Sequence, residues 1–167
     1  MFNELTQKDI DAMQAEIDHR KLVIRKELLE EVKETRAHGD LSENFEYHAA
    51  KRAKNQNESR IRYLERMIRT AQIVSDDSKP DEVGINKIVQ LYFEEEDEVE
   101  TYKIVTTVRG NSLAGLVSTE SPLGKAVLGH KVGDRVWVEV SDHAGYFVEI
   151  RTIEEADANM EDKLRSF

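Results

Sequence analysis

The apolar residues of the first 75 positions follow helical spacing. From Leu5 to His38 there is no glycine or proline, and residues that favour helices predominate. The apolar residues here recur at steps of three and four, or their sums, which places them on one face. A second stripe alternates steps of three and four, as the a and d positions of a coiled coil do. The first stripe comprises Ile10, Met13, Ile17, Ile24, Leu28 and Val32, and the second comprises Tyr47, Ala50, Lys54, Asn57, Ile61, Leu64, Ile68 and Ala71.

A turn is predicted between the two stripes. Gly39 is the only glycine before residue 84, and glycine readily adopts the conformation that ends a helix. Asp40, followed three positions later by Glu43, has the spacing of a capping box that begins the next helix. Because neither apolar stripe can remain exposed, we predict an antiparallel hairpin in which facing residue numbers sum to about 81. The facing pairs are then Ile17 with Leu64 and Glu27 with Lys54.

The second half of the chain changes to the alternating pattern of β-strands. A linker-like stretch over 75–82 contains Pro80 and precedes the change. Ser121 and Pro122 can open one short helix, with serine as the N-cap and proline in the first turn. A short fifth strand can form over 110–117. The four main predicted strands, rich in Val, Ile, Tyr and Thr, are Ile85–Phe93, Val99–Val108, Val132–Val140 and Tyr146–Ile153.

These patterns predict the α+β class with two domains. Residues 1–75 form a coiled-coil hairpin, and residues 76–167 form a small antiparallel sheet with one helix and a polar tail from about 155. The composition agrees with two domains, because a chain with 35% charged and 39% hydrophobic residues is too polar to form one large core. The absence of cysteine excludes disulfides and thiolate zinc sites. With no membrane span or secretory signal in the sequence, we expect a cytoplasmic protein and no membrane partner.

Charge is distributed unevenly along the chain. Residues 1–75 carry 14 acidic and 14 basic side chains, whereas residues 76–167 carry 20 acidic and 10 basic ones, which gives the net charge of -10. Phosphate binding requires clustered Lys and Arg, so we expect no autonomous binding of duplex DNA. Residues 51–69 nevertheless hold seven basic side chains against Glu58 and Glu65. This cluster is either a solvated helix face or a surface for nucleic acid.

The pair of acids at the turn is the sharpest chemical feature. Asp40 and Glu43 are three positions apart, so both carboxylates can lie on one side of an exposed tip. Mg²⁺ is commonly held by one or two carboxylates together with substrate and water. Two carboxylates alone bind such a metal weakly, and they would serve best as a supplement to a metal held elsewhere. A capping box without further function explains the same spacing. His38 and His48 lack the spacing of a zinc site.

Two segments of the sequence resemble signatures of one known family. Residues 36–51 read RAHGDLSENFEYHAAK and closely resemble the coiled-coil tip of the Gre transcript-cleavage factors of bacterial RNA polymerase, nearer to GreA than to GreB. Residues 118–134 read STESPLGKAVLGHKVGD and resemble its C-terminal signature. The two segments stand in the expected order, one in each predicted domain. The resemblance covers residues 1 to about 154.

The resemblance implies a hairpin followed by a domain of FKBP-like fold. In such factors the hairpin enters the secondary channel of the polymerase. Its acidic tip helps to hold the second catalytic Mg²⁺ and an attacking water, and the polymerase then hydrolyses the nascent RNA of a backtracked complex. The chain is thus expected to be an accessory factor rather than an enzyme, without a cofactor of its own. Its expected partners are bacterial RNA polymerase and the 3′ end of the nascent RNA.

The resemblance also implies roles for individual residues, carried over by position. Phe45 departs from the family, which more often has alanine there, and it places an aromatic ring beside the acids. Asp40 and Glu43 are implied to be the catalytic pair, which shares the Mg²⁺ of the polymerase and forms no autonomous metal site. The residues implied to support the tip are Ser42, Asn44 and Phe45, and those implied to contact RNA are Arg36, Lys51 and Arg52. The implied polymerase-docking surface consists of Ser121, Pro122 and Leu123.

Two other functions are left open. A channel-binding inhibitor of the same fold would dock in the same place without stimulating cleavage, and the intact acidic pair argues against it. A prolyl isomerase is suggested by the FKBP-like domain and by its aromatic residues Tyr92, Tyr102, Trp137 and Phe147. Fold alone is weak support for an activity, however, and aromatic residues on strands usually belong to the core.

Overall fold

The computed structural model describes residues 3–39, 44–157 and 162–166 of the 167-residue chain. The chain divides into two units. One unit consists mainly of residues 8–71, and the other consists of residues 4–7 and 72–166. The α+β class, with a helical hairpin and a small sheet that carries one helix, is confirmed.

Two long helical arms form the hairpin. The first arm comprises α1 (Gln7–His19), a π-helical segment (Arg20–Ile24) and α2 (Arg25–Arg36). His19 and Arg25, which flank the π-helical segment, both have right-handed helical backbone angles, so the arm is continuous. The second arm is α3 (Phe45–Arg69). Sequence periodicity predicted both arms, whereas the π-helical segment was not predicted.

The predicted apolar stripes pack between the arms. Helices of this kind are stable mainly because an apolar face is buried, and burial of a Leu or Ile side chain contributes about 1.5–3 kcal/mol. Two polar residues, Asn57 and Arg60, are buried with these stripes. The buried apolar residues of the arms are Met13, Ile17, Ala50, Ile61, Leu64 and Met67.

The predicted facing pair of Glu27 and Lys54 forms no ion pair within the described residues of the hairpin. Glu27 is exposed, and it is absent from the ion pairs between the arms in the described part of the hairpin. Arg25 instead reaches Glu58, with 3.0 Å between Nη2 and Oε1. Half-buried Arg25 lies nearer to the interface than Glu27 does, so its side chain makes the contact across the arms.

Two short strands lie at the ends of the arms. Strands β1 (Asn3–Leu5) and β2 (Ala71–Ile73) form a two-stranded sheet. The backbone N–H of Val74 donates a hydrogen bond of 2.9 Å to the carbonyl oxygen of Leu5. Neither strand was predicted, because three residues are too few to show an alternating pattern.

A five-stranded sheet forms the second unit, in the order β5-β4-β3-β7-β6. Adjacent strands of this sheet pair antiparallel, except for β4 and β5, which pair in parallel. The predicted antiparallel sheet is therefore mixed at one edge, because two 3₁₀ turns between Thr107 and Ala114 reverse the chain so that β5 runs beside the last three residues of β4. The strands are β3 (Lys87–Phe93), β4 (Glu98–Val105), β5 (Leu116–Ser118), β6 (Arg135–Ser141) and β7 (Ala144–Glu155).

One helix, α4 (Pro122–Val127), packs on this sheet. Val127 is fully buried against alternate residues of the strands, so one face of the sheet carries the core. The alternation follows from the pleat, which sends successive side chains to opposite faces. The strand residues of this core are Val89, Leu91, Ile104, Val136, Val138, Val148 and Ile150.

Candidate functional site

The predicted catalytic pair belongs to the segment of sequence that joins α2 to α3. Asp40 and Glu43, together with Leu41 and the predicted supporting residue Ser42, fall outside the described residues. The structure describes both flanks of this segment, Gly39 on one side and Asn44 on the other. Their geometry shows how each arm ends.

The first arm ends as the sequence predicted. After α2, the backbone N–H of Ala37 donates to the carbonyl oxygens of Lys33 and Glu34, at 3.2 Å each. The N–H of His38 donates to the carbonyl oxygen of Thr35 at 3.2 Å. Gly39 has a φ of +107°, in the region that only glycine adopts without strain. The glycine thus ends the helical path at the predicted position.

The second arm begins later than predicted. The first helical residue of α3 is Phe45, and its N-cap is Asn44 rather than Asp40. The Oδ1 atom of Asn44 accepts a hydrogen bond of 3.0 Å from the backbone N–H of Tyr47. Asparagine is among the preferred N-cap residues, and here it is the one placed to cap the helix. The capping-box explanation of Asp40 and Glu43 is therefore wrong for α3.

Asn44 also joins the two arms at the tip. Its Nδ2 group donates a hydrogen bond of 2.6 Å to the carbonyl oxygen of Thr35. Thr35 is buried, and its own hydroxyl donates to the carbonyl oxygen of Glu31 at 2.8 Å. A single amide side chain thus caps α3 and holds it against the last turn of α2. Asn44 was predicted to support the tip, but Thr35 was missed because one Thr in a helix carries no signal.

Phe45 presents its ring to solvent. The side chain is 84% exposed although it directly follows the tip segment. An apolar ring of this size contributes nothing to a core here, so its place at the tip has no folding explanation in the described residues. Exposed aromatic rings are the groups on which unpaired bases stack.

The basic cluster of the second arm separates into two groups. Arg60 is buried, and its guanidinium pairs with Glu16 at 2.7 Å. Lys51 and Arg52 are exposed, as is Arg36 at the end of α2, and the described residues place no carboxylate within ion-pair distance of any of the three. At a rise of about 1.5 Å per residue, Lys51 and Arg52 lie about 10 Å along α3 from its start. Lys51 and Arg52 therefore place exposed positive charge near the tip, and Arg62, Arg66 and Arg69 continue it along the rest of α3.

The predicted docking residues begin α4 in the second unit. The hydroxyl of Ser121 accepts from the backbone N–H of Gly124 at 3.1 Å and donates to the carbonyl oxygen of Ser118 at 2.6 Å. The predicted serine N-cap is thereby confirmed. Pro122 is exposed and Leu123 is half-buried against the core. The docking role of these residues stays a prediction.

The end of the chain lies close to this helix. Residues 162–166 have no regular secondary structure, and residues 163–166 line a cavity of about 930 Å³ together with Ser121, Pro122 and Leu123. The Nζ of Lys103 pairs with the Oδ2 of Asp162 at 2.5 Å. These contacts hold the described part of the polar tail against the second unit.

Comparison with known proteins identifies the family. Residues 3–73 match the profile described as "Transcription elongation factor, N-terminal", and residues 77–155 match "Transcription elongation factor, GreA/GreB, C-term". The chain belongs to the GreA/GreB family of transcription elongation factors. The Gre resemblance seen in the tip and Ser-Pro segments is therefore confirmed over nearly the whole chain.

Several relatives carry the name transcription elongation factor GreA. The protein of Macrococcus caseolyticus is 42% identical over 132 residues, which are 79% of this chain and 84% of the relative. The protein of Streptococcus pneumoniae serotype 19F is 41% identical over 151 residues, which are 90% of this chain and 94% of the relative. The solved structure of GreA factor homolog 1 (Gfh1) of Thermus thermophilus is 24% identical to this GreA/GreB-family chain. It covers 92% of this chain and 99% of its own, with a TM-score of 0.43.

The aromatic residues that suggested an isomerase do not share one pocket. Tyr102 packs at the core beside Phe93, with 6.1 Å between ring centroids. Trp137 and Phe147 meet edge to face at 4.8 Å, and the hydroxyl of Tyr92 donates to Asp97 at 2.6 Å. The described residues of this GreA/GreB-family chain therefore give no support to prolyl isomerisation.

The part of the GreA/GreB-family chain that the structure describes holds no group of three or more His, Asp or Glu side chains that could bind a metal ion. That statement does not extend to Asp40 and Glu43. His38 lies 3.5 Å from the carboxylate of Glu46. Within the described residues, no helix has both the length and the apolar character needed to span a membrane.

The double role of Asn44 can be tested by substitution. We expect Asn44→Ala to lower the free energy of unfolding by about 1 kcal/mol, because the α3 N-cap is lost. Amide protons at the start of α3 should then exchange faster. Asn44→Asp keeps the accepting oxygen but loses the donor to Thr35. Amide protons at the start of α3 should therefore stay protected from exchange, whereas those at the end of α2 should exchange faster. Hydrogen exchange with mass spectrometry measures both ends. Equal protection in Asn44→Ala and the unaltered protein would contradict this account.

Proposed function

We propose that this chain is a transcript-cleavage factor of bacterial RNA polymerase. The hairpin enters the secondary channel of the polymerase, and its tip stimulates the enzyme's own hydrolysis of backtracked nascent RNA. The observation that carries the proposal is the capping of α3 by Asn44. Because Asn44 caps α3, Asp40 and Glu43 are not needed as the N-cap of that helix, although both belong to the segment between the arms.

The chemistry of the two acids fits Mg²⁺ of the polymerase. Carboxylate oxygens are ligands that Mg²⁺ prefers, and the ion usually keeps several waters and takes its remaining ligands from substrate. Asp40 and Glu43 provide one or two such ligands, which is too few for a site of their own. When bound, the metal ions of such centres stabilise the attacking and leaving oxygens of phosphoryl transfer. The chain is on this proposal an accessory factor, and the polymerase is the enzyme.

The basic residues near the tip suit the RNA. Arg36, Lys51 and Arg52 are exposed, and the described residues do not neutralise them. Phosphates of an extruded transcript would release counterions on meeting such side chains. The exposed ring of Phe45 can stack on an unpaired base at the 3′ end. We therefore assign these four residues to contacts with the nascent RNA.

The second domain, taken as residues 76–167, suits a protein anchor better than a nucleic-acid one. It carries 20 acidic and 10 basic side chains, so a phosphate backbone would be repelled. Exposed Pro122 and half-buried Leu123 give the start of α4 an apolar surface. We assign docking on the polymerase to Ser121, Pro122 and Leu123. The protein is thus held by one domain and acts through the other.

The carboxylate assignment is tested on a backtracked polymerase complex. We expect Asp40→Ala and Glu43→Ala each to slow RNA cleavage by about 100-fold or more, as loss of a group that stabilises developing charge does. Binding to the polymerase should remain within twofold. Glu46→Ala is the matched control, because Glu46 is an exposed carboxylate in the first turn of α3 outside the pair. The assay measures release of short 3′ RNA fragments.

The outcomes separate the alternatives. Undiminished cleavage by the Asp40 and Glu43 double variant would refute the assignment. A wild-type protein that binds the complex and slows cleavage would support the channel inhibitor instead. Equal losses in Glu46→Ala and the two tip variants would indicate general disruption of the tip rather than a special pair.

A second test concerns the basic residues. We expect Lys51 and Arg52, both changed to Ala, to leave stability within about 0.5 kcal/mol because both are exposed. Cleavage in complexes with long extruded RNA should weaken, and its salt slope should fall by about one unit per lost phosphate contact. Lys26 and Lys33, both changed to Ala, provide a matched control on the other arm. An unchanged salt slope in the Lys51 and Arg52 variant would return both residues to a solvated helix face.

A further inference from the structure

A polar network lies within the seam of the hairpin, away from the tip. We call Glu16, Arg20, Asn57 and Arg60 the polar clasp. Asn57 occupies a seam position and is only 4% exposed, and Arg60 is 7% exposed. The clasp therefore interrupts an apolar interface with four polar side chains, two from each arm.

Hydrogen bonds join the clasp across the arms. The Nη1 of Arg20 donates to the Oδ1 of Asn57 at 2.9 Å, while its Nε donates to Glu16 at 2.8 Å. Arg60 donates to both carboxylate oxygens of Glu16, from Nε at 2.7 Å and from Nη2 at 3.2 Å. Burial raises the pKa of Glu16, but the hydrogen bonds and attraction of Arg60 and Arg20 outweigh that effect and hold the pKa below its usual value. Glu16 is thus a charged partner for both arginines.

The clasp coincides with the irregular part of the first arm. The π-helical segment begins at Arg20, whose carbonyl oxygen accepts from the backbone N–H of Arg25, five residues along. The same carbonyl oxygen accepts from the Nδ2 of Asn57 at 3.4 Å. Segments of this type insert an extra residue into a helical turn and often occur at functional positions. Asn57 therefore contacts the first arm at the start of its π-helical segment, the irregular part of that arm.

Stability alone does not explain such a network. Desolvation offsets much of the attraction within a buried ion pair, and apolar replacements of similar volume are often neutral or stabilising. An apolar seam, by contrast, tolerates a shift of one turn, because the next layer offers similar side chains. A shift of one turn moves Asn57 and Arg60 by about 5.4 Å and removes their partners. A polar residue at a seam position can select one register in this way.

Register determines where the tip stands. Only residues 37–44 connect the end of α2 to the start of α3. A one-turn slip would advance one arm past the other by about 5.4 Å, and the connection would have to follow. Groups that assist a reaction lose much of their effect when displaced by about 1 Å. A hairpin that delivers carboxylates to another enzyme therefore requires a single register.

We propose that the polar clasp of Glu16, Arg20, Asn57 and Arg60 fixes the register of the two arms and so sets the position of the tip. These are positioning residues, and they act through the packing of the arms rather than as contacts to RNA or metal. The consequence for cleavage rests on the proposed function. The register itself is a property of the free protein and can be measured without polymerase.

Cross-linking measures the register, because the chain has no cysteine of its own. Lys21→Cys is combined in turn with Glu58→Cys, Arg62→Cys, Glu65→Cys or Arg69→Cys in the full-length protein. The Nζ of Lys21 lies 2.6 Å from Glu65, so linking to residue 65 should exceed each other pair by about tenfold. We expect Asn57→Leu to spread linking to residues one turn away while the melting temperature is unchanged or raised. Asn55→Leu, an exposed position on the same helix, should leave the preference intact.

Two further variants keep the test decisive if Asn57→Leu fails to fold. Asn57→Asp retains an accepting oxygen for Arg20, so it should retain the single register. Glu16→Gln keeps the shape but loses the charge, and it should spread the linking partly. The proposal would be overturned if the tenfold preference for residue 65 persisted in both Asn57→Leu and Glu16→Gln. If Asn57→Leu does not fold, persistence of that preference in Glu16→Gln alone would overturn it.

Cleavage gives the functional readout. In a backtracked complex, we expect Asn57→Leu to lower the maximal cleavage rate about tenfold while the concentration for half-maximal effect stays within twofold. Asn57→Asp should recover most of the rate. If the unaltered protein stimulates no cleavage, the proposed function fails while cross-linking still decides the register. A lowered rate with the register unchanged would contradict the positioning role.

Discussion

The packing of two helical arms along one seam is the constraint on which the rest of this structure depends. A helix in water is only marginally stable by itself, and the arms carry many charged side chains that contribute little. Buried residues such as Met13, Ile17, Ile61 and Leu64 supply most of what holds them together. The tip, the basic side chains near it and the reach of the hairpin all exist only while that seam is closed.

The proposed chemistry follows from this arrangement. A long hairpin can bring a few groups into another enzyme, but it offers no cavity in which to build a complete metal site. Two carboxylates are then sufficient, since the partner holds the metal and the substrate. The more demanding requirement is placement, to which Asn44 contributes at the tip and the polar clasp contributes within the seam. On the same proposal, the acidic second domain provides affinity for the polymerase without competing for RNA.

Sequence predicts the parts of this protein that local rules decide. Gly39 ends the first arm, Ser121 caps α4, and the stripe residues Ala50, Asn57, Ile61 and Leu64 are buried, because each feature depends on side-chain type and spacing. Features decided by distant contacts were missed. The first was the choice of Asn44 over Asp40 as the N-cap, which the contact with Thr35 helps to fix.

The other misses have the same origin. The π-helical segment contacts Asn57 of the opposite arm through the carbonyl oxygen of Arg20. The parallel pairing of β5 depends on the path of the preceding turns. Asn57 was visible as a polar residue in an apolar stripe, and that was the available signal for the clasp. The roles of Asp40 and Glu43 come from the family resemblance, and they stay predictions because these residues lie outside the described part of the chain.

The central claim is that the tip of this hairpin reaches the metal centre of the polymerase. It is tested most directly by replacing Mg²⁺ with Fe²⁺ in a backtracked complex bound to the full-length protein, so that hydroxyl radicals cut whatever lies beside the metal. The account predicts cuts confined to the few residues around positions 40–44, which excess Mg²⁺ suppresses. Cuts in residues 72–166, or none in the hairpin while the protein is bound, would contradict it.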